Sequence, residues 1–199
     1  MNYLAHAYLS FKNPEILVGN LISDFVKGKK KFDFSPAIQE GIALHRLIDA
    51  FTDEHAITKE AKEVFYSTYR LYSGAFVDVT YDHFLANDRD IFADAASLME
   101  FSLYTYTTIS SFEQELPDRF RRVFPYMRAD NWLYNYQFTN GIKNSYQGLV
   151  YRAAYLTESE PALNIFKDHY YFLQNCYHRF FPQLQEFTLD NFPSASLEG

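Results

Sequence analysis

The sequence predicts an all-α protein built as a single domain. Three observations carry that expectation. Helix-start chemistry recurs along the chain, with Ser35 before Pro36, Ser97 three residues before Glu100, and Thr157 three residues before Glu160. The apolar-polar alternation of a half-buried strand is almost absent. The 199 residues hold no internal repeat and no low-complexity linker, and they suffice for one hydrophobic core without staples.

Taken in order, residues 2–11 form a short helix carrying His6, ended by Asn13 and Pro14. Residues 15–27 form a second, stopped by Gly28, with Asp24 set among Leu21, Ile22, Phe25 and Val26. After the polar run 29–33, Ser35 as cap and Pro36 at the first helical position open a third helix that reaches about residue 55. A fourth spans about 58–73, and a fifth, 76–86, contains Asp82 and His83. Ser97 opens the next, and Pro117 starts a short basic amphipathic piece with Arg119, Arg121 and Arg122. Residues 130–152 are aromatic-rich and read as two helices broken near Gly141. Thr157 opens a last long helix to about residue 181, which Pro182 ends or kinks.

The third helix organises the rest. One of its stripes reads Ile38, Ile42, His45, Asp49, Thr52, so a polar pair one turn apart interrupts an apolar face. A buried carboxylate needs a partner, and two kinds are available: an internal hydrogen-bonded imidazole, or a shared divalent metal. His6, Asp24, Asp82 and His83 stand in similar apolar helical settings within the first 90 residues. His and Asp side chains dispersed over several helices are what a bundle needs to build an interior metal site. Mixed imidazole and carboxylate donors suit manganese, iron or zinc better than magnesium or calcium.

Composition narrows the chemistry. With 25 acidic against 18 basic residues the net charge is -7, which speaks against general affinity for nucleic acid. The single cysteine, Cys176, excludes a disulfide framework within the chain and a Cys-rich zinc site; it reads as a core thiol in a reducing compartment. The first residues lack a secretory pattern and no stretch is long enough to span a bilayer, so a soluble, cytoplasmic protein without membrane association is expected. The 17 Tyr and 20 Phe read as core packing. There is no Glu-x-x-His or His-Glu-x-x-His pair, no phosphate-binding glycine loop and no Gly-x-Ser-x-Gly elbow.

Four stretches, NYLAHAYLS (2–10), GNLISDFVKG (19–28), HRLIDAFTD (45–53) and YDHFLA (81–86), in this order and spacing, resemble the bacterial acyl carrier protein phosphodiesterases. The likeness is close to about residue 90 and looser beyond, where NWLYNYQ (131–137), Arg152 and FFPQL (180–184) are its pieces. That family is regarded as a divergent branch of the HD-type metal-dependent phosphohydrolases, which implies an all-α, HD-domain-like fold. It further implies a divalent cation, typically Mn2+ with Mg2+, Fe2+ or Zn2+ as alternatives. The implied reaction cleaves the phosphodiester between 4'-phosphopantetheine and the serine of holo acyl carrier protein, giving the apo protein. By motif position the resemblance implies metal ligation among Asp24, His45, Asp49, Asp82 and His83, with His6, Asp24 and His83 catalytic. Asp82 and His83 stand in reverse of the usual His-Asp order.

Cations would hold the diester, and Lys27, Arg46 and Arg152 are the candidates. An acidic carrier protein would meet a chain of net charge -7, so docking calls for a local positive surface: Lys29, Lys30 and Lys31, with Arg119, Arg121, Arg122 and Arg128 as a second group. Three other readings stand beside this one. A phosphohydrolase of the same fold could act on nucleotides, with Trp132, Tyr134 and Tyr136 stacking a base; a protein could bind the carrier without turnover; or the polar cluster could be structural only.

Overall fold

The start signal works as the sequence proposes for the third helix, and Asn13 with Pro14, expected to end the first helix, also opens the second. Asn13 Oδ1 accepts the Ile16 N–H at 3.2 Å and Ser35 Oγ accepts the Ile38 N–H at 3.3 Å, each with proline following at the first helical position. The computed structural model describes residues 1–192, and every regular element among them is helical. In chain order these are α1 (Tyr3–Tyr8), α2 (Pro14–Ile22), α3 (Pro36–Glu54), α4 (Ala56–Tyr69), α5 (Ser73–Ala86), α6 (Ala95–Ser111), α7 (Asp118–Ala129), α8 (Trp132–Asn135), α9 (Thr139–Arg152), α10 (Glu160–Asp168) and α11 (Tyr170–Asn191), with short 3-10 turns between some of them. The buried apolar side chains form one core, from Met1 to Leu184.

Helix α5 is the axis of that core. Its side chains from Phe76 to Ala86 are buried on nearly all sides, the signature of a helix surrounded by protein. α11 packs along it through Tyr81, Phe84, Tyr177 and Phe180. α1, only six residues long, is too short to hold itself. Asp82 of α5 supplies what it lacks, accepting the N–H groups of Asn2, Leu4 and Ala5 at 3.3, 2.7 and 3.2 Å.

α2 and α3 cross with their backbones in contact. A Cβ on Gly19 would lie 2.1 Å from Ile38 O, and one on Gly41 would lie 2.3 Å from Ile16 O. No other residue fits at either crossing position without moving a helix, and the contact brings Asn20 of α2 against His45 of α3.

Several boundaries differ from the sequence expectation. α2 ends at Ile22, and Asp24 lies on the 3-10 turn Ser23–Phe25 that follows; the lysine run is itself a 3-10 turn, Gly28–Asp33. The capping box that opens α6 is Asp94 with Ser97, not Ser97 with Glu100: Asp94 Oδ1 accepts Ser97 N–H at 2.8 Å and Ser97 Oγ accepts Asp94 N–H at 3.2 Å. The two helices expected over 130–152 are parted at 136–138, and Gly141 lies in the first turn of α9, where a Cβ would sit 1.9 Å from Asn135 O. The expected last helix is two, parted at His169, and α11 continues through Pro182 to Asn191, held by the buried Tyr177, Phe180, Phe181 and Leu184.

Candidate metal centre

The α2–α3 crossing places one residue, Asn20, behind two imidazoles. Its side-chain amide donates to His6 O at 2.8 Å and to Ser10 Oγ at 3.0 Å, which fixes Oδ1 as the group that faces His6 Nδ1 at 2.8 Å. Its backbone carbonyl lies 2.7 Å from His45 Nδ1. An oxygen acceptor at each Nδ1 puts the ring proton there, so both Nε2 atoms carry lone pairs. The rings stack at 4.0 Å, tilted by only 14°, and the two lone pairs leave from one side.

They meet carboxylates. Asp49 Oδ1 is 3.2 Å from His6 Nε2 and Asp49 Oδ2 is 3.1 Å from His45 Nε2, while Asp24 Oδ1 is 3.3 Å from His45 Nε2. Both Nε2 atoms are buried and neither has a hydrogen-bond partner among the described residues. A lone pair facing a carboxylate oxygen is repulsive unless a positive charge lies between them. A proton on His45 is one solution: burial opposes it, but Asp24 and Asp49 outweigh burial and raise the imidazole to about 9. His6 goes the other way, pushed down to about 4 by burial and by the neighbouring His45. Asp49 stays ionised, its burial outweighed by the two imidazoles, and Asp24 is lowered by His45.

A divalent cation is the other solution, and the donor set fits one. One atom from each of His6, His45 and Asp49 lies within 4.8 Å of the others, a spacing that bonds of about 2.0–2.2 Å can close with slight contraction. The partners of the Nδ1 atoms are the outer hydrogen bonds that metal-bound histidines carry. Asp24, 74% exposed, stands at the open side as a fourth oxygen donor.

The cluster lines a cavity of about 340 Å3 together with Tyr3, Asp78, Arg119 and Arg152. The α-ammonium of Met1 is buried there, 3.0 Å from Asp78 Oδ1 and 3.7 Å from Asp49 Oδ1. Neither Arg119 nor Arg152 is in an ion pair among the described residues, so both guanidiniums are free to bind an anion.

Of the six His and Asp residues singled out from sequence, the fold brings together four, His6, Asp24, His45 and Asp49. Asp82 is elsewhere: both its oxygens are occupied by the N–H groups that begin α1, and burial pushes its carboxyl up to about 7 despite them. His83 is also apart, with Nδ1 2.7 Å from Tyr136 O, Nε2 3.3 Å from the Tyr170 hydroxyl, and Phe84 and Phe166 against its ring. Neither has a donor atom left over that faces the cluster. Of the cations, Arg152 reaches the cavity, whereas Lys27 is exposed and Arg46 extends toward Val26 O at 3.5 Å. Lys29 and Lys30 are exposed and Lys31 lies 5.0 Å over the Phe32 ring, on the turn just past Asp24.

Sequence reasoning missed the roles of Asn20, Asp78 and Tyr3, and set Arg119 among docking residues. Asp78 was accessible, since it lies one turn before Asp82 on the same stripe. Arg119 was not: it arrives because Phe120 beside it packs edge-on against Phe25 at 5.2 Å, joining α7 to the Asp24 turn. The three aromatic residues considered for base stacking do not form a platform. Tyr136 is 2% exposed and its hydroxyl accepts from Asn2 Nδ2 at 2.9 Å, while Tyr134 packs on Phe138.

Comparison with known proteins agrees with the sequence resemblance. The profile of the family described as acyl carrier protein phosphodiesterase matches residues 1–184. A protein of that name from Yersinia pestis is 32% identical over 184 residues, covering 92% of this chain and 95% of its own. One from Klebsiella pneumoniae is 33% identical over 184 residues, with the same two shares of 92% and 95%. A third, from Yersinia enterocolitica, is 31% identical over 190 residues, 96% of this chain and 98% of its own. No solved structure matches the chain.

Proposed function

The chain belongs to the acyl carrier protein phosphodiesterase family, and from that premise we propose that it hydrolyses the diester joining 4'-phosphopantetheine to the serine of holo acyl carrier protein, releasing the apo protein. The observation that carries the reading is the pair of buried Nε2 atoms aimed at Asp49, without a hydrogen-bond partner among the described residues, in a cavity that also holds two arginines without an ion pair among them.

His6, His45 and Asp49 would hold the cation, with Asp24 as the oxygen donor on the open side. When bound, a divalent ion lowers the pKa of a coordinated water toward neutrality and offsets charge on a phosphoryl oxygen. The family resemblance makes manganese the first choice, with Fe2+, Zn2+ and Mg2+ as alternatives; the mixed nitrogen and oxygen donors suit manganese, iron or zinc alike. The protein does the rest. Arg119 and Arg152 bind the non-bridging oxygens and orient the diester, which is most of what phosphoryl transfer asks of side chains. Asp24, held ionised beside His45, accepts a hydrogen bond from the attacking water, and the departing serine oxygen takes up its proton from solvent water at this open side, where Asp24 is 74% exposed. His6 acts as a ligand rather than a proton donor, since its single free nitrogen faces Asp49. His83 has no part in proton transfer here, being bonded to Tyr136 and Tyr170.

The exposed Lys29 and Lys30, with Lys31, offer an acidic carrier protein a positive docking surface next to Asp24. In the second basic group, Arg119 serves the cavity, Arg121 pairs with Asp118 at 3.1 Å and Arg128 Nη1 donates to Ser110 Oγ at 3.2 Å, so the lysine turn is the better site. No helix among the described residues is long and apolar enough to cross a membrane, and the buried thiol of Cys176 supports a reducing, cytoplasmic setting. Intact mass spectrometry of holo acyl carrier protein incubated with the enzyme tests the reading. Loss of the 4'-phosphopantetheine mass with manganese and not with a chelator is the expected result. An unchanged mass from folded, metal-loaded enzyme would overturn it.

A further inference from the structure

Beside the candidate metal centre lies a larger cleft of about 730 Å3, and the two cavities share Asn2, Tyr3 and Arg152. A substrate anchored at the metal centre therefore passes Arg152 directly into it. We infer that this cleft seats the amide-bearing arm of the diester, extended along α9 from Arg152 toward Gly141. The inference rests on the diesterase reading above, and it adds where and how the pantetheine arm, which keeps the phosphoryl group, is held.

The length fits. Gly141, Ser145, Gly148 and Arg152 line one wall, a stretch of helix of about 16 Å at 1.5 Å per residue. From phosphorus to thiol the arm has roughly thirteen bonds, about four extended residues' worth, or ~15 Å. The chemistry fits as well. The arm carries two amides, a hydroxyl and a gem-dimethyl group, and the cleft offers several asparagines with Trp132 and Tyr3 as apolar surfaces. Asn2 and Asn135 are held through Nδ2, which donates to the Tyr136 hydroxyl at 2.9 Å and to Asp130 O at 2.6 Å. Their Oδ1 atoms, and the whole Asn144 amide, have no hydrogen-bond partner among the described residues. They are the acceptors and donors that two substrate amides need.

A second observation concerns the shape of one lining residue. Gly148 sits inside α9, where glycine is a poor helix former, yet a Cβ there would meet nothing within 4 Å. Packing does not require this glycine, in contrast to Gly141, where Asn135 O would be 1.9 Å away. What its missing side chain preserves is the open volume of the cleft.

The test is to fill that volume. Gly148→Phe adds a ring where the helix has room, and Asn144→Phe, at an exposed position of the same wall, repeats the block should the first variant fail to fold. Two readouts are taken on the manganese-loaded enzyme: calorimetric binding of free pantetheine, and the ratio of kcat/KM on holo acyl carrier protein to that on methyl p-nitrophenyl phosphate, which has no arm. We expect pantetheine binding to be lost and the ratio to fall at least tenfold, mostly through KM. Wild-type pantetheine affinity and an unchanged ratio in a folded blocking variant would overturn the assignment, as would failure of the parent enzyme to bind pantetheine. If the enzyme hydrolyses the small diester but leaves holo acyl carrier protein intact, the proposed substrate is wrong, and the pantetheine titration still judges the cleft by itself.

Discussion

Replacing Asn20 by Ala separates the two imidazoles of the centre. The substitution deletes the Oδ1 that faces His6 Nδ1 at 2.8 Å and the Nδ2 that donates to His6 O and Ser10 Oγ, but it leaves the backbone carbonyl that holds His45. His6 O keeps its bond from Ser10 Oγ at 2.8 Å, so the main stranded group is the buried His6 Nδ1–H. A buried donor left without a partner costs ~1–3 kcal/mol, which for a chain of this size lowers the melting temperature by about 4–8 °C at the middle of that range. Without its acceptor, His6 no longer has its proton fixed on Nδ1 and its lone pair aimed at Asp49. Loss of such an outer hydrogen bond weakens metal binding by about 10–100-fold. Calorimetric titration of the metal-free protein with Mn2+, beside a melting curve, reads both effects. A folded variant that binds manganese within twofold of wild type would refute the claim that Asn20 sets the His6 donor atom.

Asp49→Asn keeps the shape of the side chain but removes the charge both Nε2 atoms face, so bound metal and hydrolysis of holo acyl carrier protein should both fall at least a hundredfold; stoichiometric metal by elemental analysis would contradict this. In metal-free protein His45, raised to about 9, stabilises fully below its unfolded value near 6.5 and loses that contribution as pH rises toward 9. His6, lowered to about 4, acts oppositely: the unfolded chain takes up its proton first, so stability falls as pH drops from 6.5 toward 4. Between pH 4 and 7 the rise from His6 is offset by Asp82, whose raised carboxyl loses stability as it ionises, so the His45 effect is read above 7: melting temperature of the metal-free protein should decline from pH 7 to 9, and a profile flat over that range would count against the paired geometry. Gly41→Ala forces a methyl to within 2.3 Å of Ile16 O, and the strain of separating α2 from α3 should cost ~1–3 kcal/mol and weaken metal binding with it, read by denaturant titration. Changing Lys29, Lys30 and Lys31 together to Glu should raise KM for holo acyl carrier protein at low salt and flatten its salt dependence, with little effect on the small diester.

The third helix was legible because its start chemistry is local: Ser35 lies three residues from the Ile38 N–H it accepts, with Pro36 at the first helical position. His45 and Asp49 were legible for the same reason, being one turn apart on one helix. Asn13 and Pro14, read as the stop of the first helix, serve as the start of the second. Asp82 and His83 show the limit of that logic. A buried polar residue in an apolar helix looks the same in sequence whether its partner is a metal or a backbone group, and the partners of Asp82 lie 77–80 residues away in the chain. Arg119 was misplaced because its position depends on a contact between Phe25 and Phe120 that no local pattern encodes. The break at His169 carries no glycine or proline, and Pro182 does not stop α11 because the buried side chains around it keep the helix in place. Local rules describe what each segment prefers; the site was set by which segments meet.

Anomalous diffraction from crystals grown with manganese tests the central claim most directly. The expected result is a peak at the metal edge bonded to His6 Nε2, His45 Nε2 and an Asp49 oxygen, about 2.0–2.2 Å from each, with no peak at Asp82 or His83. A peak bonded to Asp82 or His83, or none at the cluster in crystals of enzyme whose hydrolysis requires the metal, would contradict it.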